Sequence, residues 1–106
     1  MDVRCSSIEE VRQRIDRLDR ELVTLLARRG RIVAQAATFK KTTNDVRAPS
    51  RVEEVIVRVR AIASETGASP QLVERVYRAM IAAFIDEELK VHAELNMDRS
   101  TPRTAG

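Results

Sequence analysis

From Ile8 to Phe39 the chain reads IEEVRQRIDRLDRELVTLLARRGRIVAQAATF. Apolar residues fall at Ile8, Val11, Ile15, Leu18, Leu22, Leu25, Ile32, Ala36 and Phe39. The steps of three and four between them place these side chains on one stripe of a helix. Ser7 and Glu10 have the spacing of a capping box, and no proline interrupts the run before the polar stretch Thr42-Thr43-Asn44-Asp45. Only Gly30 weakens its continuity. The spacing predicts one long helix over 8–39. At 1.5 Å per residue such a helix is about 50 Å long, whereas a globule of this chain length has a radius of gyration of about 13 Å. The chain cannot wrap that stripe by itself, so a homodimer with the long helices side by side is expected to cover it.

One place in the series is not apolar. The seam runs Leu22, Leu25, Arg29, Ile32, Ala36, which aims a guanidinium where the pattern demands a hydrophobic side chain. An unpaired charge buried there is costly, so Arg29 needs a carboxylate, from the protein or from a ligand. An ion pair with Glu88, a snorkelling side chain and a bound anion all satisfy that need. If the helix reaches Lys40, that residue is rotated from Arg29 by only about 20° and lies about 16 Å further along. Two long cationic side chains then lean towards one small anion. The plainer role for Lys40 is a cation favourable to the dipole at a helix C-terminus. Arg12, just off the seam, either pairs with an acid such as Asp16 or, in an antiparallel dimer, reaches into the opposite subunit.

The segment Thr42 to Pro49 reads as a loop, and Ser50 with Glu53 forms a second capping box. The following helix carries Val52, Val55, Ile56, Val59, Ile62 and Ala63 on one face and ends at Gly67, a residue suited to a left-handed C-terminus. Ser69-Pro70 restarts the chain as N-cap and first helical residue. A third helix carries Val73, Val76, Tyr77, Met80, Phe84, Val91 and Leu95, with Glu88 in the same series. The expectation is an all-α chain of three helices forming a single domain over 1–106, with 1–7 as an N-terminal extension and 97–106 as a mobile tail.

Composition narrows the function. Three Gly, three Pro and three aromatic residues among 106 favour helices over a sheet. Cys5 is the only cysteine and His92 the only histidine, so an internal disulfide and a metal cluster rich in Cys or His are excluded, and His92 is expected at the surface. Glycine-rich phosphate loops and dinucleotide fingerprints are missing, which leaves no signature of a cofactor. An enzyme of this kind works by positioning and electrostatics. The net charge of +3 is spread among acids along the helices, which with so few aromatics argues against nucleic acid and for a small anionic partner. No leader-like or membrane-length apolar run is present, so no membrane association and a cytoplasmic location are expected.

Four motifs together resemble the all-helical class of chorismate mutases and the related isochorismate-pyruvate lyases, over residues 8 to about 95. Val11-Arg12-Gln13-Arg14-Ile15-Asp16-Arg17-Leu18-Asp19 looks like the opening motif, Leu26-Ala27-Arg28-Arg29 like the second, and Phe39-Lys40 and Arg51 like the third and fourth. The resemblance implies an intertwined homodimer of three-helix chains, with two cofactor-free sites for a dicarboxylate, each built from both subunits. It implies that Arg12 enters the neighbouring subunit's site, Arg29 binds a substrate carboxylate, and Lys40 contacts a carboxylate and the ether oxygen of the bond that breaks.

The implied reaction of a mutase is the one-step pericyclic conversion of chorismate to prephenate, and that of a lyase is the formation of salicylate and pyruvate from isochorismate. Ala48 and Val52 stand where many mutases have acids facing the substrate hydroxyl, and Ala48-Pro49-Ser50-Arg51-Val52 looks more like the lyase branch. Phe84 replaces a polar residue common in mutases. Glu88 stands where both branches commonly carry glutamine. Only a protonated Glu88 donates to the ether oxygen as glutamine does, which predicts activity that declines as pH rises. Outside this resemblance, a non-catalytic helical dimer that binds a partner, with Arg29 and Glu88 paired, accounts for the same misfits.

Overall fold

The computed structural model of the chain describes residues 4–100, with the side chains of residues 96 and 98–100 outside the description. Its elements are α1 (Ile8–Ala37), α2 (Thr43–Arg47), α3 (Pro49–Thr66) and α4 (Pro70–Ser100). The expected all-α class holds, with three long helices and one short one that the loop reading of 42–49 had missed. The chain divides into two compact units, residues 1–32 and 33–106, and the division falls within α1.

In the first unit, Ser7 Oγ accepts the Glu10 N–H at 3.1 Å, as the capping box requires. The reciprocal half is shifted by one residue, because the Glu10 carboxylate takes the Ser6 N–H at 3.0 Å and the Ser6 hydroxyl at 2.8 Å. The bond from the Ser6 backbone is the main reason the Glu10 carboxyl is held below its ordinary range. Leu18, Leu22 and Leu25 are 56%, 57% and 53% exposed. The stripe that the heptad-like spacing predicts is therefore an open apolar face of this chain. Arg29 sits half-buried within it, and Arg12 is exposed.

The second unit begins with the last turn of α1, whose Ala37 is buried. Here the long-helix reading needs a correction. The chain leaves the helix after Ala37, where Thr38, Phe39 and Lys40 donate backbone N–H groups to the carbonyls of Gln35, Ala36 and Ala37. Each spans three residues, the tight bonding of a closing turn. Lys40 thus stands beyond the helix, and the rotation of 20° computed from Arg29 does not apply to it.

Thr42 then caps α2 with a true capping box: its hydroxyl accepts the Asp45 N–H at 3.1 Å, and the Asp45 carboxylate accepts the Thr42 N–H at 3.0 Å. The Ser50–Glu53 box predicted for the next helix does not form. Pro49 already occupies the first turn of α3, and the residue before it, Ala48, turns the chain with φ 38° and ψ 60° and offers no side-chain cap. A left-handed alanine costs about 1–2 kcal/mol, so the junction of α2 and α3 is strained where both helices need a sharp bend. Two other boundaries follow the sequence: Gly67 closes α3 at φ 80°, with the Ala68 N–H bonded to the Ala63 carbonyl, and Ser69 Oγ caps α4 through the Leu72 N–H.

α3 and α4 pack along a core of Val55, Ile56, Val59 and Ile81, flanked by Val52, Val73, Tyr77, Met80 and Ile85. Val76, Val91 and Leu95, expected on the same face of α4, are exposed, because that helix carries more than one apolar stripe. α4 runs on through Met97 to Ser100, the first part of the stretch expected as a tail; the rest of that stretch, 101–106, lies outside the described residues, as do residues 1–3 of the extension. Among the described residues no helix is long and apolar enough to cross a membrane.

A charged clasp ties the exposed edge of this pair. Arg78 donates to both oxygens of Glu53 at 2.9 Å and to Glu74 at 2.8 Å, and Arg60 donates to Glu74 at 2.7 Å. Hydrogen bonds from Arg78 hold the Glu53 and Glu74 carboxyls below the ordinary 4.5. Depressed carboxylates stabilise the fold above their unfolded pKa and lose that contribution as pH falls through the folded one. Arg78→Ala is therefore expected to lower the urea midpoint at pH 7 and to change it much less at pH 3. An equal shift at both pH values would show that the alkyl stem, not the charge, matters.

Candidate active site

Among the described residues of α4 one carboxylate is buried, Glu88, with 4% of its side chain exposed. It lies two turns beyond Ile81, on the stretch of α4 that runs past the hydrophobic core. Lys40 donates its Nζ to Glu88 Oε2 at 2.8 Å, across 48 residues of sequence. Such a pair is desolvated on one side and open on the other, since the lysine side chain is 24% exposed. A carboxylate so enclosed needs that cation, and the cation keeps one face open for an incoming anion.

Lys40 also lines an open cavity of about 630 Å³ formed by the turn after α1, by α2 and by the start of α3. Phe39, Asn44, Asp45, Ala48, Ser50, Arg51 and Glu54 are among its other walls. The backbone explains this grouping. The turn after Ala37 brings Phe39 and Lys40 out of α1, and the left-handed Ala48 folds the first turn of α3 back towards them. Arg51 leans on Glu54 at 3.4 Å, both well exposed, a weak tether that an anionic ligand can displace.

Of the residues singled out in the sequence, Lys40, Ala48 and Arg51 therefore share one cavity, and Glu88 joins them through Lys40. Val52 turns away, half-buried against the core of α3 and α4. Phe84 is half-buried on α4 one turn before Glu88. Arg12 and Arg29 belong to the first unit. Phe39, 84% exposed at the cavity rim, was read only as part of a motif and as the last apolar residue of the stripe.

His92 requires a correction. It is not a surface residue: at 6% exposure it is as enclosed as Glu88, one helical turn away on the same side of α4. The apolar series drew attention to Val91, whereas the spacing of four from Glu88 was the signal that marked His92.

A model of the family described as chorismate mutase type II matches residues 11–89. The chain belongs to that family. A curated relative in Pseudomonas aeruginosa, an isochorismate pyruvate lyase, is 31% identical over 86 residues, which cover 81% of this chain and 85% of that protein. Within this chorismate mutase type II chain, the matched span takes in Arg12, Arg29, Lys40, Ala48, Arg51, Val52, Phe84 and Glu88 and stops before His92. Membership and the relative together make the chain an enzyme of this mutase and lyase group, acting on a small molecule.

Proposed function

We propose that the chain is a chorismate mutase that rearranges chorismate to prephenate without a cofactor. The observation that carries this reading is the Lys40–Glu88 pair beside the cavity: a lysine within the span that matches the family, held by a buried carboxylate, at a site open to an anion. Folding the enolpyruvyl side chain over the ring is largely an entropic cost, which a site holding both carboxylates lowers. A cation near the ether oxygen stabilises the charge that grows as the C–O bond lengthens. In this proposal Lys40 supplies that cation, Arg51 stands at the carboxylate entrance, and Arg29 and Arg12 hold the carboxylates. Ala48, Val52 and Phe84 shape the ring's surroundings, and Glu88, as the carboxylate paired with Lys40, holds that ammonium at the ether oxygen.

The second reading is an isochorismate-pyruvate lyase, favoured by the relative of that name and by Ala48 and Val52 in place of acids. Both readings include a homodimer. The open stripe of α1, with Leu18, Leu22 and Leu25 each more than half exposed, supports it.

Incubating the purified protein separately with chorismate and with isochorismate, and following prephenate, salicylate and pyruvate, decides between them. Prephenate from chorismate is the expected result. Salicylate with an equal amount of pyruvate, and no prephenate, would make the lyase the correct assignment, and neither product would leave the chain as a partner-binding helical dimer.

A further inference from the structure

The second unit contains one more enclosed polar group that the proposed reaction does not use. His92 lies on α4 with 6% of its surface exposed, four residues beyond Glu88 and so on the same side of the helix. By that point α4 has passed the core it shares with α3, whose buried member on α4 is Ile81. α2 also packs on α4. The one buried residue of α2 is Val46, at 2% exposure. Val46 is enclosed where α2 meets α4, and His92 lies close enough to Asp45, in the first turn of α2, to act on its carboxylate.

α2 is tied in turn to Lys40. Asp45 accepts the backbone N–H groups of Lys41 and Thr42, at 3.1 and 3.0 Å, so the residue that follows Lys40 is fixed to the first turn of α2. Those two bonds are the main reason the Asp45 carboxyl is held below its ordinary 3.8, and the neighbouring His92 adds to the effect from α4. A five-residue helix has little stability of its own. Its position depends on what it rests against, and the placement of the Lys40 ammonium depends on it.

We propose that His92 is a positioning residue: it seats α2 on α4 and thereby holds Lys40 opposite Glu88. The assignment rests on the reading of Lys40 as the substrate-facing cation, but the seating itself is measurable without any substrate.

Acylation of lysines by an amine-reactive ester, followed by mass spectrometry, reads it directly. In the unaltered protein Lys40, paired and three-quarters covered, is expected to label several-fold more slowly than the exposed Lys41 next to it. His92→Leu fills the space without a polar group and is expected to bring Lys40 to the rate of Lys41. His92→Gln keeps a polar side chain of similar reach and is expected to preserve slow labelling. Circular dichroism establishes that each variant is folded. Slow Lys40 labelling in a folded His92→Leu protein, or fast labelling in a folded His92→Gln protein, overturns the proposal. If His92→Leu does not fold, the His92→Gln result alone decides.

Kinetics supply the second readout. A displaced Lys40 is expected to lower kcat by about ten- to a hundredfold in His92→Leu, with a smaller change in KM and with rescue in His92→Gln. Should the unaltered protein turn over neither chorismate nor isochorismate, the functional reading fails while the labelling still decides the role of His92.

Discussion

Replacing Lys40 with methionine is expected to lower kcat by about 10²- to 10³-fold, the usual loss when one preorganised donor to a developing oxyanion is removed. The variant should remain folded, although less stable. Its Glu88 carboxylate, 4% exposed, loses the ammonium 2.8 Å away. A buried carboxylate left unpaired costs about 3–5 kcal/mol. The lysine is 24% exposed, so water reaches the pair and a smaller penalty of about 1–3 kcal/mol is expected.

The double variant Lys40→Met with Glu88→Gln separates the two effects. Stability should return, because the amide needs no counter-ion, while turnover should stay low. Urea melts and steady-state kinetics on the same three proteins check this. A folded Lys40→Met enzyme with near-full turnover would remove Lys40 from the chemistry and leave its ion pair as a structural contact.

Elements stabilised by local rules were legible in the sequence, and elements stabilised by contacts between distant segments were not. The three long helices, the Ser7 and Ser69 caps and the Gly67 terminus follow from periodicity and from backbone chemistry confined to a few residues. α2 was hidden for a physical reason: its capping box, Thr42 with Asp45, lies in a polar stretch with one apolar residue, Val46, too few to show a period. Ser50 and Glu53 matched the same box more visibly, but Pro49 preorganises the turn before them and the helix starts two residues earlier.

The same division applies to the site. Lys40, Ala48 and Arg51 lie within a dozen residues of one another, and one cavity holds them all. The partner of Glu88 was harder to see. The carboxylate takes Lys40, because the chain leaves α1 at Ala37 and delivers Lys40 to α4 by a turn that apolar periodicity does not encode. His92 failed for a related reason. Its neighbour Asp45 belongs to a five-residue helix that the loop reading of 42–49 leaves out.

The second large effect concerns the proposed homodimer. Arg12→Ala and Arg29→Ala are each expected to abolish turnover while leaving a dimer, since neither change touches the leucines of the α1 stripe. If Arg12 serves the neighbouring subunit's site and Arg29 its own, a dimer of one variant with the other contains one site with both arginines and one with neither. Random reassociation makes about half the dimers mixed, so mixing the two inactive proteins should restore about a quarter of normal activity. Gel filtration of differently tagged chains confirms that mixed dimers form. Mixed dimers without activity would place Arg12 and Arg29 in the service of the same chain's site, or outside it. Restored activity follows only from a site shared between two chains, and it gives the open stripe on α1 a catalytic purpose: the contact that covers Leu18, Leu22 and Leu25 also delivers an arginine that the site lacks.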